Sequence, residues 1–222
     1  MVKFLKKFWA PFLIFLLSSI IFVINHKSGT FLSGWDTLHP EFDFTLNFRR
    51  LLSGVWRLEQ GFGAVAGHSH MADLPRVLIL WLSSLVLPLD LLRYFYIFLM
   101  FLLGGLGTYY LIAYLLTRFN TKNVVQVSFI ASLLYLFNLS TVQNFFVPFE
   151  MFPTQFGFLP WIILYSFKYL DTGSKRNLIL FSIITLFSIP QAYAAHLWYA
   201  FFGIYTVFLL LFSYLRRNEK KS

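Results

Sequence analysis

Residues 77–89, VLILWLSSLVLPL, decide the fold, because their length sets how often the chain crosses a membrane. As a helix this uncharged run is about 20 Å long at 1.5 Å per residue, whereas the hydrocarbon core of a bilayer is roughly 30 Å thick. Asp73 is placed to cap its start, Pro75 falls in its first turn and Pro88 closes it. The stretch predicts a juxtamembrane helix that lies at the membrane surface or dips into it.

The composition around this stretch requires a lipid environment. Of the 222 residues, 58% are hydrophobic, 21% are aromatic and only 12% are charged. Soluble domains carry roughly 25% charged residues, and a soluble globule of this size could not bury so many apolar side chains. We therefore expect an all-α polytopic membrane protein, with 1–222 as a single transmembrane domain of about six crossing helices. The uncharged runs that predict these helices are 8–25, 94–117, 124–139, 151–167, 178–195 and 197–215.

Two classes of chemistry are excluded by composition. The formal net charge is +9, but the basic residues flank apolar runs and no basic stretch is interleaved with base-reading side chains. Nucleic acid is therefore not an expected partner, whereas membrane lipids are. The chain has no cysteine, which excludes disulfides and thiolate chemistry.

The positions of lysine and arginine predict the orientation, because these residues favour the cytoplasmic side. If 77–89 crossed, the cytoplasmic side would keep only Lys3, Lys6, Lys7 and Arg93. If it does not cross, that side holds twelve of the 18 basic residues. We therefore predict a multi-pass protein of the cytoplasmic membrane with both termini inside and residues 26–76 as an external loop. The twelve are Lys3, Lys6, Lys7, Arg118, Lys122, Lys168, Lys175, Arg176, Arg216, Arg217, Lys220 and Lys221.

The external loop contains a predicted amphipathic helix. Pro40 is suited to its first turn, and glycines at 61 and 63 end the element. Its apolar residues recur at helical spacing on one face. Such a helix either lies in the interface plane or packs on the transmembrane bundle. The apolar face consists of Phe44, Phe48, Leu51, Leu52 and Val55.

Two carboxylates outside the predicted spans are candidate catalytic groups. Asp36, in Gly34-Trp35-Asp36-Thr37, is expected at the membrane surface beside an aromatic ring. Partial desolvation there favours taking a proton from a hydroxyl; the alternative is a turn or capping aspartate. Glu150, in the second external loop, either faces Asp36 across a shared cleft or caps the next helix.

Other polar residues are candidate ligands. His68 and His70 form an H-x-H pair that, with Asp36, His39 or Asp73, is a possible divalent-cation site, although such pairs are common in loops. His196 lies near a predicted helix end, where it either lines a polar cleft or belongs to an aromatic belt. Four loop arginines either bind a phosphate or reach towards lipid headgroups. These are Arg49, Arg50, Arg57 and Arg76.

The order of these parts resembles the C-type (GT-C) membrane glycosyltransferases, more narrowly YfhO-type and arabinofuranosyltransferase-like proteins. The likeness rests on GWDTLHPEF (34–42), NFRRLLSGVWRLEQGFG (47–63) and the Leu-Pro start, basic turn and polar aromatic segment within 156–202. It implies transfer of a sugar from a polyprenyl-phosphate-linked donor to a glycan, lipid or protein acceptor outside the cytoplasm. Asp36 then corresponds to the general base.

The same resemblance suggests substrate-binding residues and a larger architecture. Such enzymes usually have more helices, so we expect an N-terminal part of a GT-C protein. The alternative is a non-catalytic transporter, flippase or assembly scaffold for cell-envelope glycans. The predicted spans lack Asp, Glu, Lys and Arg, which weighs against ion-coupled transport. Expected substrate-binding residues are His39, Glu41, Arg49, Arg50, Arg57 and His196.

Overall fold

The described residues are almost entirely helical, as the sequence predicts. A computed structural model of the chain describes residues 2–34, 39–53, 56–57, 63–65 and 71–219. The strands in these ranges are β1 (Trp56–Arg57) and β2 (Ala64–Val65), which pair antiparallel. Two 3-10 helices cover Pro40–Phe42 and Ile189–Tyr193. The α-helices are α1 (Val2–Asn25), α2 (Phe44–Ser53), α3 (Leu74–Ser84), α4 (Leu89–Arg118), α5 (Val124–Phe137), α6 (Leu139–Phe146), α7 (Met151–Thr172), α8 (Lys175–Ser188) and α9 (Ala195–Glu219).

Helix α4 is the centre of the bundle, and its contacts show the direction of its neighbours. Its start packs on the end of α1, where His26 and Tyr94 lie 5.1 Å apart between ring centroids, so these helices are antiparallel. Helix α7 is parallel to α4. The Tyr96 and Thr154 hydroxyls lie 2.7 Å apart near the start of both helices, and Asp171 accepts from Tyr114 near the end of both.

The remaining long helices continue this alternation. Ser132 of α5 donates to the Gly105 carbonyl of α4 at 2.9 Å, and Phe137 lies against Phe101, so α5 is antiparallel to α4. Gly173, with φ +64°, makes the turn that reverses the chain from α7 into α8. Helix α9 then runs beside α7, with the Tyr205 hydroxyl against Ser166. The six long helices α1, α4, α5, α7, α8 and α9 thus alternate in direction.

Among the described residues, fewer helices are long and apolar enough to cross a membrane than the six predicted. By length and composition, α1 (over Phe8–Asn25) and α4 are long and apolar enough to cross, and the pair α5 and α6, bent by 46°, makes a third if it counts as one span. Helix α7 has 22 residues, but its first half carries Pro153, Gln155 and Pro160. Helix α8 stops after 14 residues because Pro190 follows, and in the part of α9 whose side chains are described the apolar run covers Trp198–Tyr214.

Helix α3 has 11 residues and covers only 77–84 of the stretch that decides the topology. Pro75 lies in its first turn as predicted, but the helix ends at Ser84 and Pro88 instead precedes α4. The capping role of Asp73 is wrong. Asp73 occupies the N-cap position without a side-chain cap, and its Oδ1 instead accepts from Arg76 Nε at 2.7 Å. The guanidinium offers the Asp73 carboxylate two parallel charge-assisted bonds, whereas capping would supply a bond to one backbone N–H. Leu80 of α3 is buried with Leu92 of α4, which fixes α3 against the bundle.

The predicted amphipathic helix is split into two elements. Pro40 begins a short 3-10 helix and not the amphipathic helix that it was predicted to start. Helix α2 starts only at Phe44, because Asp43 Oδ1 accepts from Leu46 N at 2.8 Å and caps it. Phe48 packs on Trp81 of α3, with ring centroids 6.1 Å apart, and Leu51 is buried. Within the described residues α2 therefore packs on the juxtamembrane helix α3, and the choice between the interface plane and the transmembrane bundle stays open. Leu52, by contrast, is exposed.

Glycines bring the helices around α4 close together, the role their position in an apolar span predicts. An added Cβ at Gly104 or Gly107 would overlap Phe156 or Trp161 of α7, and one at Gly105 would press on Leu136 of α5. From the α7 side, an added Cβ at Gly157 would lie 2.9 Å from the Met100 carbonyl oxygen. The contact between α4 and α7 is thus backbone against backbone, which fixes their starts side by side.

Candidate functional site

Six polar side chains meet at the end of the bundle where α3, α4 and α7 begin. We call them the charge cluster, and they are His39, Glu41, Asp73, Arg76, Arg93 and Glu150. Four of them are almost fully buried, with exposed fractions of 3% for Glu41, 4% for Arg76, 3% for Arg93 and 6% for Glu150. Buried charges persist only when they are paired, so the geometry of the pairs defines what the cluster does.

Glu150 is the centre of the cluster. Its Oε1 is ion-paired with Nη2 of Arg93 and lies 3.3 Å from Nη1 of Arg76. It occupies the N-cap position of α7 but makes no side-chain cap there, so the capping interpretation is wrong. The carboxylate pairs with two guanidiniums from two different helices and not with the backbone N–H groups at the start of α7. One side chain thus joins α3, α4 and α7.

Arg76 is held by two carboxylates at once. Its Nε and Nη2 bind the two oxygens of Asp73 in a bidentate pair, while Nη1 faces Glu150. Burial opposes the charged form of Arg76, but the fields of Asp73 and Glu150 outweigh it, so the pKa of Arg76 is raised above its ordinary value. The guanidinium predicted to bind phosphate is therefore already neutralised by protein carboxylates.

His39 connects the cluster to the loop. Its Nδ1 lies 3.1 Å from Glu41 Oε1, and Arg93 Nη1 lies 2.9 Å from Nδ1 and 3.1 Å from Nε2. The His39 ring thus lies between the carboxylate of Glu41 and the guanidinium of Arg93, and its tautomer decides which ring nitrogen donates and which accepts. Within the described part of the chain, Glu41 Oε2 is buried without a hydrogen-bond partner.

The loop backbone also touches the cluster. A Cβ added at Gly34 would overlap the Pro148 carbonyl oxygen and Nη2 of Arg93. Gly34 therefore sits in a slot between the start of α4 and the residues that lead into α7. Together with the contact to His39, this puts both Gly34 and His39 against the same guanidinium.

A small cavity lies beside the cluster, at the connection from α8 to α9. Its volume is about 20 Å³, enough for one water molecule. Pro190 and Tyr193 of the second 3-10 helix form one wall, opposite Asp73, Arg76 and Glu150. Charged side chains of the cluster therefore form part of the lining of a cavity next to the start of α9.

Of the other predicted site residues, the structure describes the side chains of three. Arg49 is exposed on α2, Arg50 is half-buried there, and His196 is exposed at the start of α9. Arg57 belongs to β1 and its side chain lies outside the described residues, as do Asp36, His68 and His70 entirely. Among the ranges that the structure describes, no group of three or more His, Cys, Asp or Glu side chains is arranged to hold a metal ion. The cation site at the H-x-H pair stays a prediction.

Sequence reasoning missed Arg93 as a site residue. The predicted span began at residue 94, whereas α4 begins at Leu89, so that Arg93 lies inside the helix and is buried. The available signal was a charged residue directly before a long uncharged run. Its partner Glu150 was recognised as a candidate, but a pairing between them needs the parallel packing of α4 and α7.

The chain matches no protein-family model, no curated protein and no solved structure in comparisons with each.

Proposed function

We propose that all six long helices cross the membrane, with both termini cytoplasmic and the charge cluster at the external end. Their alternating direction supports this arrangement. So does the length of α3, whose 11 residues span about 17 Å. At the opposite end of α4 and α7, Arg118 pairs with Asp171 at 3.1 Å, and Lys122, Lys175 and Arg176 lie close by in sequence. A basic end of this kind is typical of the cytoplasmic side.

We infer that the protein is a GT-C type glycosyltransferase, or its N-terminal membrane module. It would transfer a sugar from a polyprenyl-phosphate-linked donor to a glycan, lipid or protein acceptor on the external face. One observation carries this proposal: Gly34, His39 and Glu41, which belong to one of the stretches that carry the resemblance, contact or form part of a buried charge cluster at a bundle end. A catalytic loop needs this kind of rigid support.

The proposed roles differ between the two predicted catalytic carboxylates. Asp36 would accept the proton of the acceptor hydroxyl, as the resemblance implies. Glu150 is buried and its Oε1 is already ion-paired with both Arg93 and Arg76, so its carboxylate is occupied by protein partners. We therefore assign Glu150 to positioning.

The donor phosphate needs positive charge that the cluster does not supply. The two cluster guanidiniums face the three carboxylates of Glu41, Asp73 and Glu150, so no surplus positive charge is left. The loop arginines remain the candidates, and of these Arg49 is exposed on α2. A guanidinium there would bind phosphate through two parallel hydrogen bonds.

Asp36→Asn tests the proposal. The variant should lower product formation by about 100-fold, the usual contribution of a positioned general base, without loss of folded protein. Membranes from cells that express the full chain would be supplied with a panel of radiolabelled polyprenyl-phosphate hexoses and pentoses. Asp43→Asn is the matched control, because Asp43 caps α2 and asparagine caps equally well. Equal product from Asp36→Asn and the parent would remove Asp36 from the mechanism.

A non-catalytic scaffold is the second candidate, favoured by one observation. The cluster joins α3, α4, α7 and the loop through ion pairs whose charges neutralise one another. Such pairs hold the helices together and leave the charges bound to protein partners. A scaffold for cell-envelope glycans predicts that the purified protein retains lipid-linked sugar or a partner without turnover. Measured turnover that depends on Asp36 would exclude the scaffold.

A further inference from the structure

We propose that Arg93 is a positioning residue that holds Gly34 and His39, the residues on either side of 35–38 in the sequence, against the bundle. The inference rests on the proposed function for its kinetic consequence, whereas the anchoring itself is independent of what the protein catalyses. The sequence marks Arg93 only as a charged residue directly before a long uncharged run, because its three neighbours in space come from distant parts of the chain.

Arg93 divides its guanidinium between the bundle and the loop. Nη2 is ion-paired with Glu150 at the start of α7, and Nη1 lies 2.9 Å from Nδ1 and 3.1 Å from Nε2 of His39. His39 in turn lies 3.1 Å from Glu41, whose side chain is buried. Glu150 thus fixes the guanidinium, and the guanidinium fixes His39.

The second anchor point is Gly34. Its backbone occupies the slot between the Pro148 carbonyl and Nη2 of Arg93, where even a methyl group would overlap both. Gly34 and His39 flank residues 35–38, which include Asp36. A single buried side chain therefore contacts the residues on both sides of the proposed catalytic segment.

The geometry requires arginine at this position. A planar guanidinium presents separate nitrogens to Glu150 and His39 at the same time, whereas a lysine ammonium is a point charge on a flexible stem. The contacts also argue against a role in substrate binding, because both Nη atoms of Arg93 already face protein partners. Loss of Arg93 should therefore lower kcat while the KM for the donor stays unchanged.

Cysteine labelling tests the anchoring directly, because the chain has no cysteine of its own. Leu32 is partly buried against the cluster of Leu80, Leu92 and Tyr96. A Leu32→Cys reporter is therefore shielded from the labelling reagent while this part of the loop packs on the bundle. We expect Arg93→Lys to speed labelling of this reporter by about tenfold, the effect of losing one hydrogen bond to a charged group. Gly34→Ala should speed it by about the same factor, because the added methyl group overlaps Arg93 and the Pro148 carbonyl. Gly34→Ala acts from the loop side and leaves every charge in place.

The controls separate local release from unfolding and from failure of the proposed function. A Lys122→Cys reporter at the far end should label at the same rate in all backgrounds, which shows that the bundle stays folded. Asp36→Asn should leave the labelling of Leu32→Cys unchanged. Unchanged Leu32→Cys labelling in both Arg93→Lys and Gly34→Ala would overturn the positioning role. Faster labelling with no product from any variant or the parent would uphold the anchoring and refute only the glycosyltransferase.

Discussion

Glu150→Ala is expected to lower the free energy of unfolding by about 3–5 kcal/mol, because it leaves two buried guanidiniums without their shared carboxylate. Arg76 and Arg93 are each at most 4% exposed, so water cannot replace the lost partner without opening the bundle. Arg76 keeps Asp73, but Arg93 keeps only His39 as a polar partner among the described residues. The loss should therefore fall mainly on the contact of α4 with α7 and the loop.

Thermal unfolding in detergent, followed by tryptophan fluorescence, measures this effect. Asp43→Ala is the control, since it also removes one carboxylate but takes away only the exposed cap of α2, worth about 1 kcal/mol. A stability loss for Glu150→Ala no larger than that for Asp43→Ala would mean that the charge cluster does not hold the helices together.

Gly157→Leu should destabilise the protein by about 3 kcal/mol, at the upper end of what overpacking costs. A Cβ at this position would lie 2.9 Å from the Met100 carbonyl oxygen and 3.1 Å from Met100 Cα. Both are backbone atoms, so no rotamer change relieves the contact and α4 must move away from α7. Separation of these helices would also pull apart Arg93 and Glu150.

The matched control is Gly203→Leu in α9. An added Cβ there meets nothing within 4 Å, and leucine has the higher helix propensity, so stability should stay the same or rise by up to about 1 kcal/mol. Unfolding temperatures in detergent compare the two variants. Equal effects at positions 157 and 203 would contradict the close packing of α4 on α7.

Local features of the fold were predictable from sequence. Pro75 in the first turn of α3 and the packing glycines of α4 follow from rules that involve few neighbouring residues. The role of Asp73 was not predictable in the same way. The two candidate partners of Asp73, the backbone at the start of α3 and the Arg76 side chain, are both close in sequence. The carboxylate binds Arg76 because the guanidinium makes two charge-assisted bonds with it.

The charge cluster depends on tertiary structure, which explains why only part of it was predicted. His39, Glu41 and Glu150 were recognised as candidate residues, whereas Arg93 was assigned only to a loop end. The pair of Arg93 with Glu150 forms because α4 and α7 are parallel neighbours, and the sequence alone does not reveal that packing. The number of membrane spans also depends on more than the uncharged runs. These runs predict six spans, but Pro190 ends α8 early and Pro160 lies within α7.

The most direct test of the central claim is the side of the membrane on which the charge cluster lies. Single cysteines would be placed at Leu46, near the cluster on α2, and at Lys122, at the opposite end between α4 and α5; both side chains are exposed. We predict that a membrane-impermeant maleimide labels Leu46→Cys in intact cells and Lys122→Cys only after permeabilisation. Labelling of Lys122→Cys in intact cells, with Leu46→Cys protected, would contradict the orientation and the external sugar-transfer site with it.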